Sequence, residues 1–219
     1  MTTFIALPDI HSAVRRVQQI EAQLAAVDVV LLVGDMTNGL QRDLERLLDA
    51  ITPHNTRIFA VCGNMDTQAM DDDLAARGMS IHRTHALVDG LALVGLGGAL
   101  PFYGDYVFSE EQLAQFLDEA SAGIPATMPL VLVAHQPPYN TQVDIANGKP
   151  VGSRAVRAFI EQKQPLVCFT GHIHQSTGLD TLGTTRLINP GPIARTGDYA
   201  YCEIIDGQVT TLERRSLTG

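Results

Sequence analysis

Short runs of apolar residues recur along the chain, and each is too short to form a helix. They are rich in Val, Ile, Leu and Phe, which is typical of strands that are buried on both faces. Five runs stand out, at residues 4–7, 29–33, 58–62, 130–133 and 166–170. The pattern therefore predicts five buried strands, and we expect the rest of the chain to be organised around the strand at 29–33.

The segments between these runs carry apolar residues at helical spacing. This spacing predicts helices over 14–27, 40–51 and 67–77, and in the segments that begin at Ser109 and Ser153. Ser12 is the expected N-cap of the first helix, and Ser109 with Gln112 forms a capping box. Strands that alternate with helices are typical of a parallel sheet with right-handed crossovers.

Two dipeptides predict antiparallel hairpins. Asp89-Gly90 and Asp206-Gly207 each lie between strand-like segments, and Asp-Gly is a strong signal for a two-residue turn. The chain thus combines a parallel α/β pattern with antiparallel strands. We expect a single α/β domain over residues 1–219, with two packed mixed sheets and helices on the outside.

Residues that can bind a metal or move a proton follow the predicted strands. They are Asp9, His11, Asp35, Asn64, His135, His172 and His174. A lone aspartate after a glycine is most often a turn residue, but four of the seven histidines occupy these positions. Because function in open α/β sheets collects beyond the carboxyl ends of the strands, we expect these residues to form one site.

The charge balance argues against several partners. The formal net charge is −9 and the chain has two lysines, which disfavours binding along duplex nucleic acid or on an anionic membrane. The three cysteines lack CxxC spacing and are expected to be buried core residues in a reducing compartment. Neither a signal-peptide pattern nor a membrane-spanning apolar stretch is present in the sequence, so a cytoplasmic location is expected.

The donor types indicate hard or borderline metal ions. Carboxylate, amide and imidazole donors without thiolate suit Mn²⁺, Fe²⁺ or Zn²⁺, and seven donors exceed what one tetrahedral ion needs. His172 and His174 lie two residues apart, so extended backbone would place both side chains on one side, where each could serve a different ion. Two ions about 3.5–4 Å apart activate a shared water and clamp the oxygens of an in-line displacement, which is chemistry for hydrolysing phosphate esters.

The blocks D-x-H, GD, GN, H and GHxH, in that order from Asp9 to His174, resemble the calcineurin-like metallophosphoesterase family. The segments His135-Gln136-Pro137-Pro138-Tyr139 and Asn189-Pro190-Gly191 are similar to those of its small bacterial-type members. The resemblance implies a four-layer αββα sandwich of two mixed β-sheets flanked by helices. It also implies that one ion is held by Asp9, His11 and His174 and the other by Asn64, His135 and His172, with Asp35 as the bridge. Asp35, Asn64 and His135 are expected to act directly in catalysis.

The sequence departs from the usual family pattern at three positions. Met65 stands where many members have a histidine that protonates the leaving group or holds the phosphate, and general acid help is worth about 10²–10⁴-fold. Pro8 and Gln175 are expected to alter hydrogen bonds behind the ligands. Residues that could replace the histidine or contact the phosphate are His54, His82, His85, Arg154 and Arg195, although each is more often a core or surface residue.

The leading hypothesis is hydrolysis of a small phosphodiester by a hydroxide that bridges two divalent ions, with Mn²⁺ favoured and Fe, Zn or Ni as alternatives. A phosphomonoesterase or nucleotide pyrophosphatase is the alternative among enzymes. A non-catalytic scaffold with a retained metal site, as in the retromer subunit that resembles this family, is the alternative from another class. The full ligand set favours an enzyme, because drift towards a scaffold is expected to erode ligands first. The expected partner is a small phosphate ester, and a homo-oligomer is left open.

Overall fold

The computed structural model describes residues 1–217 and consists of alternating strands and helices followed by antiparallel strands. The elements up to the first hairpin are β1 (Thr2–Leu7), α1 (Val14–Gln18), α2 (Glu21–Ala25), β2 (Val29–Val33), α3 (Gln41–Ile51), β3 (Ile58–Val61), α4 (Gln68–Ala76), β4 (His85–Val88) and β5 (Leu91–Leu96). The elements after it are α5 (Glu110–Ser121), β6 (Leu130–Ala134), β7 (Ile145–Ala146), β8 (Lys149–Pro150), α6 (Arg154–Lys163), β9 (Val167–Phe169), β10 (Gly178–Leu182), β11 (Thr185–Asn189), α7 (Ile193–Thr196), β12 (Asp198–Ile205) and β13 (Gln208–Ser216).

The first sheet is built on three parallel strands that the sequence predicts. Its order is β13-β12-β1-β2-β3, and β1, β2 and β3 run in parallel. β12 pairs with β1 in the antiparallel sense and then with β13, across the Asp206-Gly207 turn, so that predicted hairpin is confirmed. The carboxyl ends of β1, β2 and β3 therefore meet at one edge of this sheet.

The second sheet has the order β10-β11-β9-β6-β5-β4. Its four middle strands are parallel, whereas β4 and β10 are antiparallel strands at its two edges. The turn at Asp89-Gly90 joins β4 to β5, which confirms the other predicted hairpin. β6 and β9 lie next to each other in the middle of the sheet, so the loops that follow them start side by side.

Apolar side chains fill three interfaces between four layers. Phe4 and Phe169 come from different sheets and meet between them, with ring centroids 6.3 Å apart. Ile5 and Leu7, which alternate with Phe4 along β1, pack against the helices on the outer side of the first sheet. Leu132 packs against α5 and α6 on the outer side of the second sheet. Two mixed sheets flanked by helices confirm the expected αββα sandwich.

The prediction of one helix over 14–27 is wrong in one respect, because the structure has two helices there, α1 and α2. The amides of Gln19 and Ile20 donate to the carbonyls of Arg16 and Val17, three residues back, which is the tighter 3₁₀ pattern. Ile20 also has a φ of −115°, outside the helical region. Val17, Ile20 and Leu24 are all buried nonetheless. The apolar spacing therefore continues across the break between α1 and α2. For that reason the spacing could not reveal that the helix is divided.

Ser12 does not cap that helix, contrary to the sequence prediction. The N-cap position is Ala13, and Ser12 has a left-handed backbone with a φ of 63°. Its amide donates to the carbonyl of Met36 at 3.1 Å, which holds it in the loop after β1. By contrast, Ser109 makes both arms of the predicted capping box and Ser153 caps α6.

Two further expectations concern the whole chain. Cys62, Cys168 and Cys202 are free and buried, as expected of core residues. Among the described helices, none is both long and apolar enough to cross a membrane.

Candidate metal centre

The residues singled out by the sequence lie in loops at the carboxyl ends of strands from both sheets. Asp9 and His11 follow β1, Asp35 follows β2, Asn64 follows β3, His135 follows β6, and His172 and His174 follow β9. Hydrogen bonds and short contacts connect six of their side chains across the two sheets, and His172 has a ligand atom within 4.8 Å of those of Asp35 and His135. The structure thus brings all seven side chains into one cluster at this edge.

Asp9, His11 and His174 form the first group of donors. Their nearest ligand atoms all lie within 4.8 Å of one another. The Nε2 atoms of His11 and His174 are 3.4 Å apart, and Nε2 of His174 is 3.2 Å from Oδ1 of Asp9. A buried carboxylate and two imidazoles that converge in this way are a suitable donor set for a divalent ion.

Asp35, His135 and His172 form a second group with the same spacing. Nε2 of His135 is 3.5 Å from Oδ1 of Asp35 and 3.2 Å from Oδ1 of Asn64, so the amide oxygen of Asn64 joins this group. His135 is completely buried. The second group is therefore an oxygen and imidazole donor set that lies deeper in the protein than the first.

The carboxylate of Asp35 lies between the two groups. Its Oδ2 is 3.8 Å from Nε2 of His11, and its Oδ1 is 3.5 Å from Nε2 of His135. The backbone amide of Met65 donates to Oδ1 at 2.8 Å and holds the carboxylate in this orientation. One carboxylate oxygen faces each group, which is the arrangement that a bridging ligand needs.

Four of the seven residues have a left-handed backbone, which costs about 1–3 kcal/mol at a residue other than glycine. The φ angles are 53° at Asp9, 45° at His11, 49° at Asp35 and 63° at His172. The extended backbone that the sequence analysis assumed for His172 and His174 is therefore wrong. A sharp turn, rather than the alternation of a strand, directs these two histidines to different groups.

Two glycines leave room for the ligands. A Cβ atom on Gly63 would lie 2.2 Å from Oδ1 of Asp35, and one on Gly34 would lie 2.3 Å from Nδ1 of His135. No real Cβ atom tolerates such contacts. The glycines of the GD and GN blocks are thus required because side chains of the cluster occupy the space beside them.

Hydrogen bonds behind the imidazoles orient their inner nitrogen atoms. Nδ1 of His135 donates to the carbonyl of Val33 at 2.9 Å, so Nε2, which faces the cluster, is the nitrogen that offers a lone pair when the ring is neutral. Nδ1 of His11 pairs with Oδ1 of Asn38 at 3.1 Å in the same manner. Partners of this kind fix the tautomer of metal-binding histidines. The donor set and its orientation therefore fit two divalent ions.

Burial and charge pairing shift the pKa values of the residues in the second group. Burial raises the pKa of Asp35, but the charge and hydrogen bond of His135 outweigh it and hold this pKa at about 2. Burial lowers the pKa of His135, and the Asp35 carboxylate outweighs it and raises this pKa to about 9. Burial and the neighbouring charge of His135 lower the pKa of His172 to about 4. In the metal-free protein a proton thus stabilises the buried Asp35–His135 pair, and metal binding must displace it.

Asp66, for which no role was expected from the sequence, ties two of the ligand loops together. Its completely buried carboxylate accepts hydrogen bonds from the backbone amides of Met36, Thr37 and Gly63 at 2.9–3.1 Å and from the hydroxyl of Thr37 at 3.0 Å. Burial and the nearby charge of Asp35 raise its pKa to about 6. The only signal in the sequence is an acid two residues after the GN block, which resembles an ordinary turn.

The contact between Asn64 and the loop over residues 98–108 was also missed. Nδ2 of Asn64 donates to the carbonyl of Tyr103 at 2.9 Å, which turns Oδ1 towards His135. The carbonyl of Asn64 in turn accepts from the amides of Asp105 at 3.1 Å and Tyr106 at 3.4 Å. This loop carries no motif, and its distance along the chain hides the contact from sequence reasoning.

The cluster opens onto a cavity of about 520 Å³. Arg195 is the single arginine or lysine among the described residues that line it. Arg154, the other arginine considered from the sequence, does not line this cavity, because its guanidinium stacks on the ring of Tyr139 at 4.0 Å. The structure therefore favours Arg195 over Arg154 as a contact for substrate phosphate.

The three remaining histidines lie away from this cavity, as far as the described residues show. His82 is stacked on Phe108 within an aromatic cluster, His85 pairs with the carbonyl of Ala120, and His54 lies 3.6 Å from Glu21. Met65 itself lines the cavity. None of the three is placed to replace the histidine that the family often has at position 65.

A four-layer sandwich with a cluster of carboxylate, amide and imidazole donors at the sheet edge is the architecture of a metal-dependent hydrolase. The family model for the calcineurin-like phosphoesterase superfamily domain matches residues 3–206, so the chain belongs to that superfamily. Its members hydrolyse phosphate esters with the help of two divalent metal ions, and the expected family and enzyme class are thereby confirmed.

Relatives agree with this placement. The chain is 31% identical over 173 residues to the uncharacterized protein MJ1162 of Methanocaldococcus jannaschii, covering 75% of this chain and 78% of the relative. The crystal structure of TT1561 of Thermus thermophilus matches with a TM-score of 0.77 at 16% identity, over 99% of both chains. Purple acid phosphatase PPD1 from yellow lupin (Lupinus luteus) matches with a TM-score of 0.61 at 10% identity, over 99% of this chain and 52% of the other. At these identities the two structures show the shared fold alone.

Proposed function

We propose that the protein hydrolyses phosphodiesters with two divalent ions, Mn²⁺ being the favoured metal. Asp9, His11 and His174 would hold one ion, Asn64, His135 and His172 would hold the other, and Asp35 would serve both. The observation that carries this proposal is the position of Asp35, whose Oδ2 and Oδ1 lie 3.8 Å and 3.5 Å from a histidine of each group. When bound, two such ions activate a shared water as the nucleophile and offset charge on the phosphoryl oxygens.

The side chains around the ions have distinct roles. The Nδ1 hydrogen bond of His135 to Val33 keeps its Nε2 available as a donor towards the second ion. The guanidinium of Arg195 can donate two parallel hydrogen bonds to phosphoryl oxygens in the same cavity. Met65 contributes no proton, so a leaving alkoxide must take its proton from solvent, which makes good leaving groups the better substrates.

Apart from the metal ions themselves, the charge around the cavity favours a diester over a monoester. A phosphomonoester carries up to two negative charges at neutral pH, whereas a phosphodiester carries one. Arg195 is the one permanent cation among the described residues that line the cavity, and the whole chain has a net charge of −9. A monoanionic ester is therefore the easier substrate to bring to the site.

The test compares bis(p-nitrophenyl) phosphate with p-nitrophenyl phosphate, with and without added Mn²⁺, for the wild type and Asp35→Asn. Asp89→Asn is the matched control, because Asp89 lies in an exposed hairpin turn and pairs with Arg57. We expect Mn²⁺-dependent cleavage that is faster on the diester, is lost in Asp35→Asn and is retained in the control.

Each other outcome contradicts part of the proposal. Faster turnover of the monoester would favour a phosphomonoesterase. Turnover that survives Asp35→Asn would refute the bridging role of this carboxylate. No turnover of either ester, with two ions bound per chain, would favour the scaffold alternative.

A further inference from the structure

Two aromatic side chains beside the metal centre are left in solvent. The ring-bearing residues Phe102 and Tyr103 have 95% and 68% of their surface exposed. Both line the cavity into which the metal ligands open, together with Met65 and Arg195. Neighbouring exposed aromatic residues beside a site indicate a ligand-binding surface, because leaving both rings in water is less favourable than burying them.

The backbone that carries these rings is held against a metal ligand. The carbonyl of Tyr103 accepts from Nδ2 of Asn64, and the carbonyl of Asn64 accepts from the amide of Asp105. Gly104 fits between them with a φ of +90°, and a Cβ atom there would lie 2.1 Å from the carbonyl oxygen of Asn64. The backbone that carries the rings is therefore fixed next to the second group of ligands, although the rings themselves are open to solvent.

The chemistry of this surface matches one kind of group. Aromatic rings and a thioether attract a flat π-system through stacking and sulfur–aromatic contacts. Phe102, Tyr103 and Met65 supply these partners, whereas Arg195 in the same cavity, together with the ions that the metal ligands would hold, supplies contacts for a phosphoryl group. A ligand that satisfies both halves carries a planar aromatic ring close to its phosphorus.

We infer that Phe102 and Tyr103 are specificity-determining residues that stack on a planar aromatic group of the phosphate ester. This inference rests on the proposed function, since it names the class of ester that the same site takes. The two rings select the substrate, and Arg195 and the metal-loaded cluster hold its phosphoryl group.

The experiment measures binding rather than turnover, with phosphinates, which carry one negative charge like a phosphodiester and whose two P–C bonds resist hydrolysis. Methyl(phenyl)phosphinate, cyclohexyl(methyl)phosphinate and dimethylphosphinate are titrated into the Mn²⁺-loaded protein by calorimetry. Stacking predicts that the phenyl compound binds about 5- to 150-fold more tightly than the methyl compound, which is about 1–3 kcal/mol at 1.4 kcal/mol per tenfold change. The cyclohexyl compound has a similar size without a π-system and is expected to bind more weakly than the phenyl compound.

The variants remove or restore the rings. The double substitution Phe102→Ala with Tyr103→Ala is expected to abolish the preference for phenyl over methyl, while the backbone carbonyl that holds Asn64 remains. Phe102→Tyr in the wild-type background is expected to keep the preference. Leu87→Ala is the control, because Leu87 is an exposed apolar residue, at 65% exposure, on an edge strand of the second sheet.

The outcomes separate this inference from the proposed function. Equal affinity of wild type for phenyl and methyl compounds, equal affinity for phenyl and cyclohexyl compounds, or a preference that survives the double substitution would each overturn the stacking role alone. Failure of all three phosphinates to bind would refute the phosphate-ester site itself, and the inference with it.

Discussion

The buried carboxylate of Asp66 offers a direct test of how the metal ligands are positioned. It touches neither group of donors, yet it accepts four hydrogen bonds from the loops that follow β2 and β3. The substitution Asp66→Asn keeps the size of the side chain and replaces one oxygen by an amide NH₂. We expect it to weaken metal binding more than it weakens the fold.

The expected magnitudes follow from two opposing effects on the metal-free protein. An asparagine turns its NH₂ towards a backbone N–H in either orientation, and a buried N–H that loses its acceptor costs about 1–3 kcal/mol. The substitution also removes a buried charge, and a pKa raised from 3.8 to about 6 makes that charge unfavourable by about 3 kcal/mol at pH 7. The two effects largely cancel, so the free energy of unfolding should change by no more than about 2 kcal/mol.

For the affinity of the site for metal ions, no second effect opposes the loss. The shift of the two loops misplaces the carboxylate of Asp35 and the amide oxygen of Asn64, and loss of such outer partners lowers metal affinity by about 10- to 100-fold. The assay is a Mn²⁺ titration of each variant beside urea unfolding in the presence of a chelator at pH 7.

Asp144→Asn is the matched control. Asp144 is also completely buried, and it also accepts three backbone N–H groups and a threonine hydroxyl, but within the segment between β6 and α6. This variant should lose about 1–3 kcal/mol of stability and keep its metal affinity. Unchanged Mn²⁺ affinity in Asp66→Asn, or an equal loss in Asp144→Asn, would refute the positioning role.

Two further predictions concern the same site. Met65→His supplies the missing proton donor, so kcat for an alkyl phosphodiester should rise by about 10-fold or more. The kcat for bis(p-nitrophenyl) phosphate, which has a good leaving group, should change little. Equal effects on both substrates would contradict the role of position 65 in protonating the leaving group. In the metal-free protein the raised pKa of His135, about 9 against 6.5, contributes stability below pH 6.5 that is lost as the pH rises through 9. Urea midpoints measured in chelator should therefore fall over that range in the wild type, and an equal fall in His135→Gln would show that other groups are responsible.

The position of the cluster could be predicted from the sequence because its determinants are local. Asp35 follows an apolar run that is recognisable as a buried strand, and Asn64 follows another in the same way. Parallel strands bring such residues to one edge whatever the details of packing. The order of the blocks then pointed to the family, and with it to the second sheet.

The supports of the cluster could not be predicted, because they join segments far apart in the chain. Asp66 bonds to Met36 and Thr37, about thirty residues earlier, and Tyr103 bonds to Asn64 across 39 residues. Neither contact leaves a periodic or compositional signal. The left-handed turn at His172 is hidden for a related reason, since nothing in Gly-His-Ile-His distinguishes it from a strand end.

The strained backbone of the ligands explains why so many polar contacts surround them. A left-handed conformation at Asp9, His11 and Asp35 persists only where neighbouring structure over-determines it. The strained loops supply part of that support to each other, since the amide of Asp9 donates to the carbonyl of Gly34 at 3.0 Å and the amide of His11 donates to that of Asp35 at 2.8 Å. The carboxylate of Asp66 also supports the loop after β2, because it accepts from the amide of Met36. The donor atoms are therefore aimed by protein contacts, so a metal ion enters a centre whose geometry is already set.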